Sequence, residues 1–231
     1  MNEWNQGFSR ASEQVIERQN TLVRQVYAWM GAGLAITAFM ALFTLSNPPL
    51  LQAIYGNRLI FFGLMIAQLA LVFTLSGAVN RLSEFTATSI FIAYSALNGV
   101  TLSILALVYT SSSIASTFVT TAGMFGAMSL YGYMTKRDLT SWGSFLFMGL
   151  IGIVIASIVN IFVGSSSVSW VISGIGVIVF TGLTAYDTWK IKELAAQGIS
   201  GRKPAILGAL TLYLDFINLF LMLLRFTGNR R

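Results

Sequence analysis

Residues 204–226 read PAILGALTLYLDFINLFLMLLRF, an apolar run broken at one point by an acid, Asp215, and ended by Arg225. The run is long enough for a helix to cross a bilayer, which takes about 20 residues. Thr211, Asp215 and Asn218 fall at spacings of four and three, so they share one helical face. Leu214, Phe216, Ile217, Phe220, Leu221 and Leu224 cover the other sides. A charged carboxylate at bilayer depth costs about 2.5 kcal/mol or more, so Asp215 must face a cavity, a partner or a proton. A helix with so narrow a polar stripe belongs at the centre of a bundle, with the stripe toward a pore or pocket.

Six further runs of this kind precede it. They cover approximately Val26–Ser46, Leu59–Val79, Thr86–Tyr109, Ser113–Met134, Trp142–Val163 and Val168–Asp187. The connections are short: Asn47-Pro48-Pro49, where proline stops the first span, then Ser111-Ser112-Ser113, Lys136-Arg137-Asp138, Gly164 to Ser167, and the longest, Lys190 to Lys203. The composition agrees. Apolar residues make up 55% of the 231 and charged residues 10%, with a mean hydropathy of +0.74, whereas a soluble domain carries about 25% charged residues. The chain therefore reads as an all-α integral membrane protein of seven spans with the C-terminal helix central. A polar N-terminal segment occupies residues 1–24, with Glu3, Arg10, Glu13, Glu17, Arg18 and Arg24, as a short surface helix; residues 25–231 form one transmembrane domain.

Basic residues orient the spans. With the N-terminus inside, the inner loops hold Arg81, then Lys136 and Arg137, then Lys190, Lys192, Arg202 and Lys203, while the outer loops hold only Arg58. Arg225, Arg230 and Arg231 would end outside, against the rule; the last segment either re-enters or crosses fully, and six good spans before it favour crossing. The net charge of +6 is thus a membrane-surface charge and not a nucleic-acid footprint. Pairs such as Gly123/Ala127 and Gly152/Ala156 are spaced for close contact between helices.

The chain has no Cys and no His. That excludes disulfides, thiolate metal sites, Ser/His catalysis and the usual near-neutral titrating side chain. Any proton sensing falls to carboxylates. Asp187 closes the sixth span and Asp215 lies midway along the seventh, and spans joined in sequence can pack as neighbours. Asp215 reads either as a carboxyl kept protonated and hydrogen-bonded to another helix or as a functional acid, and Asp187, at a span end, either as simply wet or as its partner. In contact the two could not both ionise easily, one proton would be shared, and the pair would form a pH sensor without histidine. Arg81, at the start of the third span, is either an ordinary inner-loop arginine or a counter-charge for Asp187. Gln68, within span two, is expected to hydrogen-bond another helix.

Three stretches carry a resemblance: Ser129–Leu139 (SLYGYMTKRDL), Gly182–Thr188 (GLTAYDT) and Ala209–Phe220 (ALTLYLDFINLF). Together with the span pattern over nearly the whole chain, they resemble the Bax inhibitor-1 family in its compact bacterial form. The resemblance implies a seven-helix bundle with the last helix at its centre and a pH-sensitive calcium leak across the bacterial inner membrane, with no cofactor. It implies Asp187 and Asp215 as the proton-sensing pair and Arg81 as the latch that closes on one of them; Thr211 and Asn218, on the Asp215 face, would then line the pore. Family members often carry an acid in span two, where this chain has Gln68, so the fold carries over further than calcium affinity does. The resemblance also implies a second class of function, regulation of a membrane partner such as a membrane-anchored ATP-dependent protease, for which residues 1–24 are the natural contact. An enzyme is the third class. Intramembrane aspartyl proteases pair two aspartates on adjacent spans, but the Gly-x-Gly before the second is here Leu212-Tyr213-Leu214, and the chain does not read as an enzyme.

Overall fold

A computed structural model describes the backbone from Glu3 to Arg231 and the side chains from Glu13 onward. The charges of Glu3 and Arg10 in the polar lead lie outside the described side chains. The described chain is helical almost throughout, and seven of its helices are long and apolar enough to cross a membrane.

Helix α1 runs unbroken from Glu3 to Leu45. The polar lead is therefore the first half of the first spanning helix and not a separate surface helix. Its Glu, Gln and Arg are good helix formers, and no proline stands between lead and span. The helix ends where Asn47 precedes Pro48, because a residue before proline is pushed out of helical geometry. The same prolines open the short helix α2 (Pro48–Gly56), which the sequence reading treated as a bare break. Proline suits a first turn, where its missing N–H leaves no bond unmade. Asn57 then accepts from the Leu59 N–H at 2.9 Å and starts α3 (Arg58–Ala78). A 3-10 turn (Val79–Arg81) follows, and Ser83 caps α4 (Glu84–Leu102) by accepting from the Thr86 N–H at 3.0 Å.

The third span was expected to be one helix, but it breaks at Ser103-Ile104 before α5 (Leu105–Val108). A break at membrane depth needs another donor for the freed carbonyls. Tyr55 of α2 supplies it. Its hydroxyl lies 3.0 Å from the carbonyl oxygens of both Val100 and Thr101, and it accepts from the Ile104 N–H at 3.1 Å. The remaining helices are α6 (Ser111–Met134), α7 (Thr140–Val163), α8 (Ser166–Ala196) and α9 (Arg202–Thr227). Gly164 adopts φ 66° and ends α7 in the left-handed conformation that glycine tolerates best.

The chain groups into two compact units. The first holds Met1–Ala106 and Ile191–Leu210, and the second Leu107–Lys190 and Thr211–Arg231, so α8 and α9 contribute to both. In the first unit α1 and α4 touch through glycine. A Cβ on Gly33 would stand 2.7 Å from Cζ of Phe91, and one on Gly99 would meet the Thr37 carbonyl. Gln68 of α3 donates to the Thr101 hydroxyl of α4 at 2.9 Å, the interhelical bond expected of it. In the second unit Phe125 and Phe118 each set a ring edge against Phe216, centroids 5.4 Å apart in both pairs. The C-terminus is fixed there too. Thr110 N–H donates to Asn229, and Arg231 N–H to Val108 at 2.9 Å.

Burial separates the helices. Two-thirds of the apolar window of α9 is buried (67%), against 6% for α3, whose Leu59, Phe62, Ile66 and Phe73 are exposed. An apolar face of that size marks an interaction surface, and on a helix long enough to span a bilayer it suits hydrocarbon. The last segment is continuously helical over Arg202–Thr227, about 39 Å at 1.5 Å per residue, without the break that re-entry would require. The glycines of the four-residue pairs pack differently from expectation: Gly123 and Gly152 have nothing within 4 Å of an added Cβ. Close approaches fall instead at other glycines, Gly132, Gly143 and Gly176 among them.

Candidate functional site

The site belongs to the second unit, where α8 and α9 lie side by side. Their approach depends on Gly176, where a Cβ would come within 2.7 Å of Met222 Cγ. Three turns further along α8 is Asp187, and two turns back along α9 is Asp215. Their carboxyl groups stand close enough to act on each other directly. Asp215 is 5% exposed and Asp187 half-buried.

A carboxylate only accepts, so a hydrogen bond between two carboxyl groups contains a proton. Two full charges about 4 Å apart would also repel by about 4 kcal/mol at an effective dielectric of about 20. Two carboxyl groups so placed cannot both ionise easily. Asp215 Oδ2 is buried and has no hydrogen-bond partner. Such an orphaned oxygen is rare in a folded interior, and a buried acceptor of this kind can be satisfied by water, a proton or a cation. Among the described residues no group of three or more potential metal ligands gathers.

Thr211 and Asn218 share the Asp215 face as expected, and both are partly accessible where Asp215 is buried. Asn218 turns its amide back to the Leu214 carbonyl at 2.8 Å, leaving its amide oxygen to the stripe. Arg81 belongs to the first unit, exposed at the last position of the 3-10 turn. The cation acting on Asp187 from within its own helix is Lys190, which sequence reasoning left among the loop charges. Its position at i+3 from Asp187 was the available signal. Lys190 Nζ also stands 5.7 Å from the ring centroid of Tyr186. Two buried hydroxyls of this unit, Ser129 Oγ and Thr181 Oγ1, likewise have no partner; nothing in sequence separates them from the many Ser and Thr that bond back to their own helix.

The loop acid Asp138 contrasts with the pair. It is exposed, and the hydroxyl and N–H of Thr140 both donate to it, which holds its carboxyl below the usual carboxylate value of 3.8. Its favourable contact with Thr140 is complete above that value and fades only as pH falls through its lowered one, so Asp138 stays ionised near neutrality.

Residues 19–231 match the family model described as "Inhibitor of apoptosis-promoting Bax1". The chain is 56% identical over 216 residues to "Inner membrane protein YbhL" of Escherichia coli strain K12, covering 91% of this chain and 92% of the relative. It is 47% identical over 223 residues to an uncharacterized protein of Borreliella burgdorferi, covering 95% and 96% of the two chains. An uncharacterized membrane protein of Streptococcus pyogenes serotype M6 is 40% identical over 214 residues, 91% of this chain and 93% of that one.

Proposed function

This chain belongs to the Bax inhibitor-1 family, and from that premise we propose that it is a pH-sensitive cation leak of the bacterial inner membrane, with calcium as the permeant ion. The observation that carries the reading is the pair of carboxyl groups, Asp187 and Asp215, set against each other on two membrane-spanning helices with Asp215 buried. A shared proton makes the pair's charge depend on pH, and a change of charge at bilayer depth alters both helix packing and the attraction of a cation. Thr211 and Asn218 extend the polar face and line the path. Arg81 is the latch that closes on Asp187, with the N-terminus and Arg81 on the inner side.

The test is calcium flux into liposomes containing the purified protein, followed across a pH series. Flux that varies with pH supports the leak. Its absence at every pH refutes the leak and favours the regulatory reading, in which α1 binds a membrane protein partner. The polar residues that continue α1 as exposed helix, such as Glu13, Gln14, Glu17 and Arg18, favour that second reading.

A further inference from the structure

One end of the first unit concentrates positive charge around the connection from α8 to α9. Arg202 sets its guanidinium carbon 6.0 Å from the ring centroid of Trp29. Lys203 reaches across to the Asn80 carbonyl at 3.5 Å, which places it next to Arg81. The guanidinium of Arg18 lies 3.9 Å from where a Cβ of Gly198 would stand. Between α1 and the connection runs a groove of about 260 Å³, lined by Glu17, Arg18, Thr21, Gln25, Ser200 and Gly201. Arg18, Arg24, Arg81 and Arg202 are all exposed, and Lys203 is partly so.

The acids at this end do not cancel the charge. Among the described residues they are Glu13, Glu17, Glu84 and Glu193, against Arg18, Arg24, Arg81, Lys192, Arg202 and Lys203. The first turn of α9 holds no acid. These cations also sit at a particular depth. Arg81 ends one spanning helix and Arg202 begins another, and Trp29 follows closely on Val26, where the apolar run of α1 begins. That is the headgroup level, where tryptophan rings settle and basic side chains meet lipid phosphates. A cation–π contact holds Arg202 in place, so less order is lost when its N–H groups take a phosphate.

We propose that this rim is a binding site for an anionic phospholipid, with Arg18, Arg202 and Lys203 on the headgroup phosphate and Trp29 beside the glycerol region. It serves as a lipid-specific anchor for the connection between α8 and α9. The proposal is independent of the leak, because it is read by bound mass and not by flux.

Native mass spectrometry of the full-length protein in detergent tests it, with phosphatidylglycerol and phosphatidylcholine of identical acyl chains as probes. The wild-type protein should retain phosphatidylglycerol at least about tenfold more tightly, since each basic residue at a headgroup contributes about 1 kcal/mol. Arg18→Gln and Arg202→Gln should each weaken that preference about fivefold, the same 1 kcal/mol expressed as a ratio. Lys203→Arg should keep it. The variant carrying both Arg230→Gln and Arg231→Gln, neutralised at the C-terminus, should keep it too. Equal retention of the two lipids by the wild-type protein overturns the proposal, and so does an equal loss in the C-terminal variant. Displacement by millimolar inorganic phosphate would make the site one for free anions and overturn the lipid assignment.

Discussion

Replacing Gly132 by alanine tests the packing of α6 on α8 at Ala185, two residues before Asp187. An added Cβ would run into the Ala185 carbonyl oxygen and stand 3.0 Å from its carbonyl carbon, where ordinary contact begins at 3.4 Å. Backbone cannot rotate aside as a side-chain tip can, so the two helices must part. Overpacking of this sort costs about 1–3 kcal/mol. Alanine returns up to about 1 kcal/mol through its better helix propensity. With the full propensity gain the net loss is up to about 2 kcal/mol, which for a chain of this length lowers Tm by up to roughly 8 °C. The control is Gly123→Ala on the same helix, where nothing lies within 4 Å and only the propensity gain applies. Thermal unfolding of the detergent-solubilised protein, followed by tryptophan fluorescence, should place Gly132→Ala below wild type and Gly123→Ala at or slightly above it. If Gly132→Ala unfolds no earlier than Gly123→Ala, α6 and α8 do not touch at this point.

Three further outcomes are expected. Flux through Asp215→Asn should lose its variation between about pH 6 and about pH 8, because the pair can no longer exchange its shared proton, and Asp187→Asn should do the same; in liposomes, an unchanged profile in both would make the aspartates structural. Arg81→Ala and Asp187→Ala should each raise basal leak and combine non-additively, as coupled residues do, whereas strict additivity returns Arg81 to an ordinary inner-loop role. Reporters fused after Ser112 or Ser166 should lie outside and those after Asp138 or Gln197 inside, and an external Asp138 reporter would invert the topology.

The spans were legible because the bilayer sets a simple requirement: about 20 apolar residues in a row, with punctuation at Asn47-Pro48 and Gly164. Asp215 was legible for a related reason. A lone acid inside such a run carries a cost that only function or a partner offsets, and Asp187 at the end of the preceding span was the natural partner. The break in α4 was not legible. Thr101, Ser103 and Ile104 carry no glycine or proline, and the break persists because Tyr55, some 45 residues earlier, satisfies the carbonyls it frees. No window along α4 contains that information.

The glycines make the limit sharper. Gly123 and Gly132 lie on one helix among similar apolar neighbours, yet one faces open space and the other sits against the Ala185 backbone. A polar side chain at membrane depth announces a need from its own chemistry, so Asp187, Asp215 and Gln68 could be singled out one at a time. A small side chain announces nothing, since glycine against lipid and glycine against a neighbouring backbone are the same residue with a different partner. The four-residue spacing of Gly123/Ala127 showed that a close approach was geometrically possible; only the path of α8 decides that it happens nine residues later. In a membrane bundle, then, the chemistry of a site can be read from single residues, but the packing that positions it is a property of pairs.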